Sequence, residues 1–133
     1  VRLAVDRATA SDIETLAQRL REQRESLPDM AQFVRCAMRF HGEIARITGN
    51  SIFPTLSEAM MGWLAEFYRD LVRLPGTEQL TLQEHTAILG AIRDRNPDAA
   101  ERAMRDHLTR ANALYQRIAA EKSPEAGWRT GPG

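Results

Sequence analysis

Only one cysteine, Cys36, occurs in the 133 residues, so no disulfide can close within the chain, and a reducing compartment is expected. No apolar run approaches the length of a membrane span, and no signal-peptide pattern opens the chain. The cytoplasm is therefore the expected location, with no membrane partner. Neither charge sign is in excess: Lys and Arg number 18, and so do Asp and Glu. That balance argues against a nucleic-acid surface on this segment, which would carry a basic excess, and leaves room for a separate DNA-binding domain outside it. The chain lacks an initiating methionine, so it is expected to be a piece of a longer protein. It has no Ser/His/Asp arrangement, no Gly-rich phosphate loop and no HExxH, the patterns of several enzyme classes. It also has no alternating strand pattern and no internal repeat.

What is present is a succession of helices. Hydrophobic residues make up 43% and charged residues 27% of the chain, ordinary for one globular domain with its own core. Ser11-Asp12-Ile13-Glu14 reads as a capping box and predicts a helix over about 12–26. Pro28-Asp29 punctuates the chain, with Asp29 as the cap of a helix over roughly Met30 to Thr48. Gly49-Asn50 ends that helix, since both tolerate the left-handed backbone of a C-terminal cap. The next helix runs from near Pro54 to about Leu74, where Pro75-Gly76 stops it. Thr81-Leu82-Gln83-Glu84 reads as a second capping box, opening a helix to about Arg95. Asn96-Pro97, a cap followed by proline at the first helical position, opens the last helix, to about Ala120. Arg2 to Arg7 close one further helix. Residues 123–133, with Pro124, Gly127, Gly131, Pro132 and Gly133, read as a flexible C-terminal tail. Short connections pack successive helices antiparallel, so the predicted fold class is all-α, an antiparallel bundle of about six helices.

Histidine is as scarce as it is well placed. The three residues, His41, His85 and His107, fall on the apolar faces of three different predicted helices. His41 runs with Phe33, Ala37, Ile44 and Thr48, and His85 with Ile88, Leu89 and Ile92. His107 lies in a stripe with Ala100, Ala103, Met104, Leu108, Ala111, Leu114, Tyr115 and Ile118. A fourth apolar seam, Leu56, Met60, Leu64, Phe67 and Leu71, carries no histidine. An imidazole in an apolar seam needs hydrogen-bond partners or a metal. A single one is ordinarily a neutral core residue bonded to a carbonyl or water. Three of three placed this way make a shared metal or polar-ligand site an equal alternative. Imidazole suits Zn, Ni, Cu or Fe and binds in its neutral form, and side chains on facing helices build such sites inside bundles.

Phe40-His41, Ile44-Ala45 and Gly49-Asn50 form the first of three ordered motifs. Glu84-His85, Ile88 and Ala91-Ile92 form the second, and Asp98, Ala100, Ala103-Met104 and His107-Leu108 the third. In order, spacing and helical placement they resemble the ligand-binding C-terminal (FCD) domain of FadR-type regulators in the GntR family. Leu3-Ala4, Ala8-Thr9 and the stretch from Ile13 to Leu16 resemble the family's usual opening, so the resemblance spans about Leu3 to Ile118. It implies an all-α effector-binding and dimerisation domain over residues 1–122. That domain would follow a winged helix-turn-helix DNA-binding domain lying outside this segment. It further implies a homodimer that meets DNA only through that other domain, and a small-molecule effector, a carboxylate or sugar acid, that alters the geometry of the two DNA-binding heads.

The resemblance also implies a divalent metal held by one Asp and three His. The histidines map onto His41, His85 and His107, but Ala37 stands where the Asp should be. Cys36 is five residues before His41, about 140° away around the helix, and Met38 is a poor match for a hard or borderline ion. Glu43, Glu58, Glu66, Glu84 and Asp106 are available by type as a replacement carboxylate. Three arrangements compete: three histidines and a metal with an open position, histidines that bind an anion directly, and a carboxylate recruited from elsewhere. The first is favoured, with Zn or Ni as the ion. The effector pocket is expected beside the histidines, at Ala37, Met60, Trp63 and Leu64. The expected role is therefore sensing by a transcriptional regulator and not catalysis. The alternatives are a metal-dependent enzyme using an open three-histidine site, for which no acid or base is placed near the ligands, and a purely structural bundle.

Overall fold

A computed structural model describes residues 1–71 and 77–122, leaving aside the side chains of 61, 63–71, 114, 115 and 117–122. Six helices follow one another: α1 (Arg2–Arg7), α2 (Ala10–Glu25), α3 (Met30–Ile47), α4 (Ile52–Leu71), α5 (Thr77–Arg93) and α6 (Pro97–Lys122). No strand occurs among the described residues, and the all-α bundle is the one the apolar spacing predicts. The tail at 123–133 and the Pro75-Gly76 stop lie outside the described residues.

Local chemistry sets most of the boundaries. The Asp29 carboxylate accepts from the Gln32 N–H at 3.1 Å, and the Asn96 side chain from the Ala99 N–H at 3.0 Å, each meeting an orphan donor of a first helical turn. Gly49 has φ +70°, the left-handed region expected of a helix-ending glycine. A Cβ there would come within 2.9 Å of the Arg7 guanidinium, which donates to the Thr48 carbonyl. Arg95 adopts φ 54° without being glycine, a strain of about 1–2 kcal/mol. Its guanidinium offsets that by donating to the carbonyls of Val5 and Ala8 at 2.7 and 2.5 Å, which ties α1 to the α5–α6 turn.

Two of the expected caps sit elsewhere. The cap of α2 is Thr9, not Ser11: Thr9 Oγ1 accepts from the Asp12 N–H at 3.1 Å, and Asp12 accepts from the Thr9 N–H at 2.8 Å. The register two residues earlier is reinforced because Asp12 is also engaged by Arg46 of α3, while the Ser11 carbonyl takes the Thr15 hydroxyl. Thr81 is likewise a turn inside α5, its hydroxyl donating to the Thr77 carbonyl at 2.9 Å. The helix starts earlier, with Glu78 in its first turn, where a carboxylate favours the positive end of the dipole.

The core gathers Val5 of α1, Leu16 and Leu20 of α2, Phe33, Phe40 and Ile44 of α3, and Ile88 and Ile92 of α5. Helix α2 packs on α3 and α5, α5 on α6, and α1 across α3, α5 and α6. Helix α4 packs on α3 and, more lightly, on α6. The α4 seam expected from its spacing is not core at its described positions: Leu56 and Met60 are about half exposed, Phe53 is also exposed, and Ile52 is about two-thirds exposed. Among the described residues, that stripe of the helix is left open. Leu64, Phe67 and Leu71 lie outside the described side chains. Leu108, expected in the α6 stripe, is also half exposed, because His107 takes the inward position and the next residue is turned about 100° from it.

Candidate metal centre

Helices α3, α5 and α6 each contribute one imidazole. Helix α3 packs its backbone against α1, α2 and α4 rather than closely against α5 or α6, so the rings fill the interior between them. One ligand nitrogen from each of His41, His85 and His107 lies within 4.8 Å of the others. The ring centroids are 4.8 Å apart for His41 and His85, 5.1 Å for His41 and His107, and 4.8 Å for His85 and His107. Phe40 stacks on His85 at 4.6 Å and walls it from solvent. His85 and His107 are buried, and His41 keeps part of its surface accessible.

The His41–His107 pair has the spacing of a tetrahedral ion's ligands, whereas the three ligand nitrogens together lie within 4.8 Å, so the rings would have to draw in around a bound ion. Nitrogens bonded to zinc at about 2.0–2.1 Å sit about 3.3 Å from one another, and the His41 and His107 Nε2 atoms are 3.2 Å apart. At that distance the two nitrogens share either a proton or a metal. The third nitrogen adds a separate demand: His85 Nε2 is buried and has no hydrogen-bond partner among the described residues. A buried acceptor left without a donor costs about 1–3 kcal/mol, and a metal removes that cost.

The outer nitrogens are held by acceptors. His85 Nδ1 lies 2.8 Å from Gln23 Oε1, and His107 Nδ1 lies 2.7 Å from Glu84 Oε2. An amide oxygen and a carboxylate accept only, so each of these contacts favours a proton on Nδ1, and in a neutral ring so protonated Nε2 would be the nitrogen free to ligate. Such outer contacts orient ligands and fix their tautomers. Glu84 is itself clamped: Arg110 Nε donates to Oε1 and Nη2 to Oε2, both at 2.5 Å, and Nη2 also reaches Thr81 Oγ1 at 3.1 Å.

Electrostatics keep the ligands in their binding form. Burial, reinforced by nearby His107, pushes the His41 pKa down to about 3. Burial also holds His85 well below the ordinary imidazole value, with His41, His107 and Arg110 adding to the effect. Both are neutral at pH 7, as a metal ligand must be. For Glu84, burial opposes ionisation, but Arg110 and His107 outweigh it and hold the carboxyl below its ordinary range.

The other expected positions divide. Ala37 is buried on α3, one turn before His41. Met60 is half exposed, and the side chains of Trp63 and Leu64 lie outside the described residues. Cys36 is buried against Gln32, its Sγ 3.6 Å from that amide, and is not part of the cluster. Among the described residues no carboxylate joins the three histidines; Glu43 is engaged by Arg46, and Glu84 by His107 and Arg110. Gln23 is the functional residue that spacing alone did not single out. Its signal was present, since Leu16, Leu20 and Gln23 share one helical face, and a polar residue in such a stripe calls for a partner.

A family model described as FCD domain matches residues 1–110. A protein of Cronobacter sakazakii named "HTH-type transcriptional repressor NanR" is 37% identical over 124 residues, covering 92% of this chain and 48% of that protein. The identically named protein of Klebsiella aerogenes gives the same identity and coverage. That of Salmonella newport is 35% identical over 120 residues, 89% of this chain and 46% of its own length. The chain thus spans about half the length of the curated relatives it matches. Among the described residues no helix is long and apolar enough to cross a membrane.

Proposed function

The chain belongs to the FCD domain family of GntR-type regulators, a regulatory rather than an enzymatic family, and on that footing we propose that it is the effector-sensing domain of a DNA-binding transcriptional regulator. In this reading His41, His85 and His107 hold a divalent ion, zinc or nickel, with an open position toward Ala37. A small organic acid fills that position or binds beside it, next to the histidines. The domain pairs with a second copy, and DNA is met through a part of the protein outside this segment. The effector acts by binding one geometry of that pair better than another, a coupling of typically about 1–3 kcal/mol.

The observation that carries the reading is the gathering of three imidazole nitrogens within 4.8 Å of one another, with His85 Nε2 buried and without a partner among the described residues. The choice of an acidic effector rests on charge. Three neutral imidazoles leave a divalent ion its full charge, and Glu84 is already balanced by Arg110. An uncompensated buried cation is costly, so an anionic ligand is favoured where the family's Asp is replaced by Ala37. Direct anion binding by the histidines without metal is disfavoured, since His41 stays neutral down to about pH 3. When bound, the ion supplies a fixed positive centre for a carboxylate. The protein's own part is to hold the three lone pairs in register and keep water from the buried side.

Metal analysis of purified protein, followed by zinc titration against a competing chelator, tests this. The expected result is one zinc or nickel per chain, lost in His85→Ala, and binding of small carboxylates or sugar acids by the metal-loaded form only. A metal-free protein under metal-replete conditions that binds such acids equally well would overturn it.

A further inference from the structure

We propose that Gln23 of α2 is a positioning residue of the metal centre, selecting the tautomer of His85 that can bind metal. The inference rests on the reading of the three histidines as a metal site. Helix α2 brings no histidine, yet Gln23 is entirely buried among Leu16, Leu20 and the α5 core. Its Oε1 lies 2.8 Å from His85 Nδ1, and its Nε2 has no partner among the described residues. A buried amide with half its hydrogen-bonding capacity unused is a poor choice for stability alone, since apolar side chains of similar size fill core positions without orphan donors.

The amide answers a problem that His85 has and His107 does not. A neutral imidazole carries its proton on either nitrogen. With the carboxamide oxygen toward Nδ1, the proton must reside there and Nε2 faces the centre as a lone pair. With the amide turned over, its N–H₂ would donate to Nδ1, the ring proton would move to Nε2, and the nitrogen facing His41 and His107 could no longer ligate. Glu84 offers His107 no such choice, because a carboxylate only accepts. Gln23 also joins α2, which packs on α5, to a cluster otherwise built from α3, α5 and α6.

The test uses zinc as the probe on the whole chain. Gln23→Met keeps length and removes the acceptor. Gln23→Glu keeps an acceptor and removes the possibility of inversion. Zinc affinity, read by chelator competition, is expected to fall about 10- to 100-fold in Gln23→Met and to hold or rise in Gln23→Glu. Before any metal is added, long-range proton–nitrogen NMR spectra are expected to show His85 protonated at Nδ1 in the parent chain and mixed in Gln23→Met. A residue that only fills space would shift melting temperature and leave tautomer and affinity unmoved. If Gln23→Met does not fold, the parent spectrum and Gln23→Glu still decide. A parent His85 protonated at Nε2, or a Gln23→Glu chain that binds zinc at least tenfold more weakly than the parent, overturns the proposal. Unchanged zinc affinity in Gln23→Met overturns it while leaving the metal site standing. Absence of zinc binding in the parent overturns both.

Discussion

The two buried imidazoles of the centre are supported by opposite chemistry. On the α5 side, His85 sits in a dry pocket, stacked on Phe40 and held by the neutral amide of Gln23. On the α6 side, His107 is held by an anionic carboxylate that a guanidinium clamps from the rim, with Glu84 and Arg110 still 17% and 25% exposed. Both supports present the same thing to the interior, an Nε2 lone pair, but they fail differently. The dry side depends on packing and on one hydrogen bond, so it is rigid and sensitive to volume. The charged side depends on an ion pair partly screened by solvent, so it is tunable by charge and less costly to lose.

The largest expected effect comes from breaking the dry side. His85→Ala removes a ligand, leaves a cavity beside Phe40, and strands the Gln23 amide without any partner. Zinc affinity is expected to fall by more than the 10- to 100-fold typical of an outer contact. The metal-free chain should lose about 2–4 kcal/mol in urea unfolding. Retained stoichiometric zinc in this variant would place the metal elsewhere.

Acid separates the two sides next. His41 stays neutral in the folded chain down to about pH 3, against 6.5 for an ordinary imidazole, and His85 shifts in the same direction. The unfolded chain therefore binds more protons than the folded one below about pH 6.5, so stability falls as pH drops through that window. The slope reaches up to about 1.4 kcal/mol per pH unit for each such histidine. Glu84 shifts stability in the same direction but in a lower window: its carboxyl is held below the ordinary 4.5, so its contribution is complete above that value and is lost only at lower pH. Urea melts of metal-free protein at pH 7.5, 6.0 and 5.0 should show the histidine loss, with the carboxylate loss confined to still lower pH. A flat profile from 7.5 to 5.0 would mean that the imidazoles are hydrated, not dry.

How much of this could be read beforehand follows from which interactions are local. The caps at Asp29 and Asn96 and the left-handed Gly49 need only neighbours in sequence, and they stand where the residues suggest. The boxes expected at Ser11 and Thr81 sit elsewhere because a Ser/Thr followed three residues later by an acid fits more than one register, and the acids are claimed from other helices: Asp12 by Arg46, and Glu84 by His107 and Arg110. Helical spacing put the three histidines on inward faces correctly, since turn geometry alone decides that. The same spacing misassigned Leu56 and Met60 to the core, because periodicity reports an apolar face and not what covers it. The roles of Gln23 and Glu84 were out of reach for the same reason: each depends on a partner 62 or 23 residues away.

The charged side offers a smaller and more selective break. Glu84→Gln keeps an acceptor for His107 Nδ1 and removes the charge that Arg110 clamps. Zinc affinity is expected to fall about tenfold, and the metal-free chain should lose about 1 kcal/mol, discounted for the partial exposure of the pair. Raising the salt concentration should reproduce part of that loss in the parent and little of it in the variant. Equal losses in Glu84→Gln and Glu84→Ala would show that charge, not the hydrogen bond, carries the effect.

The subtlest comparison changes neither support and fills the gap between them. Ala37→Asp would place a carboxylate one turn before His41, on a face that is buried. Without metal, that carboxylate is desolvated and unpaired, so its pKa should rise and the chain should melt lower. With metal, it becomes a fourth ligand and supplies the missing negative charge, so zinc should bind several-fold tighter. The same substitution occupies the open position and cancels part of the ion's charge, so carboxylate effectors should bind the loaded protein more weakly. Opposite signs in metal-free stability and zinc affinity identify position 37 as facing the ion. A variant that melts lower with zinc affinity unchanged would mean that Ala37 faces packing alone, and that the open position lies on another side of the three histidines.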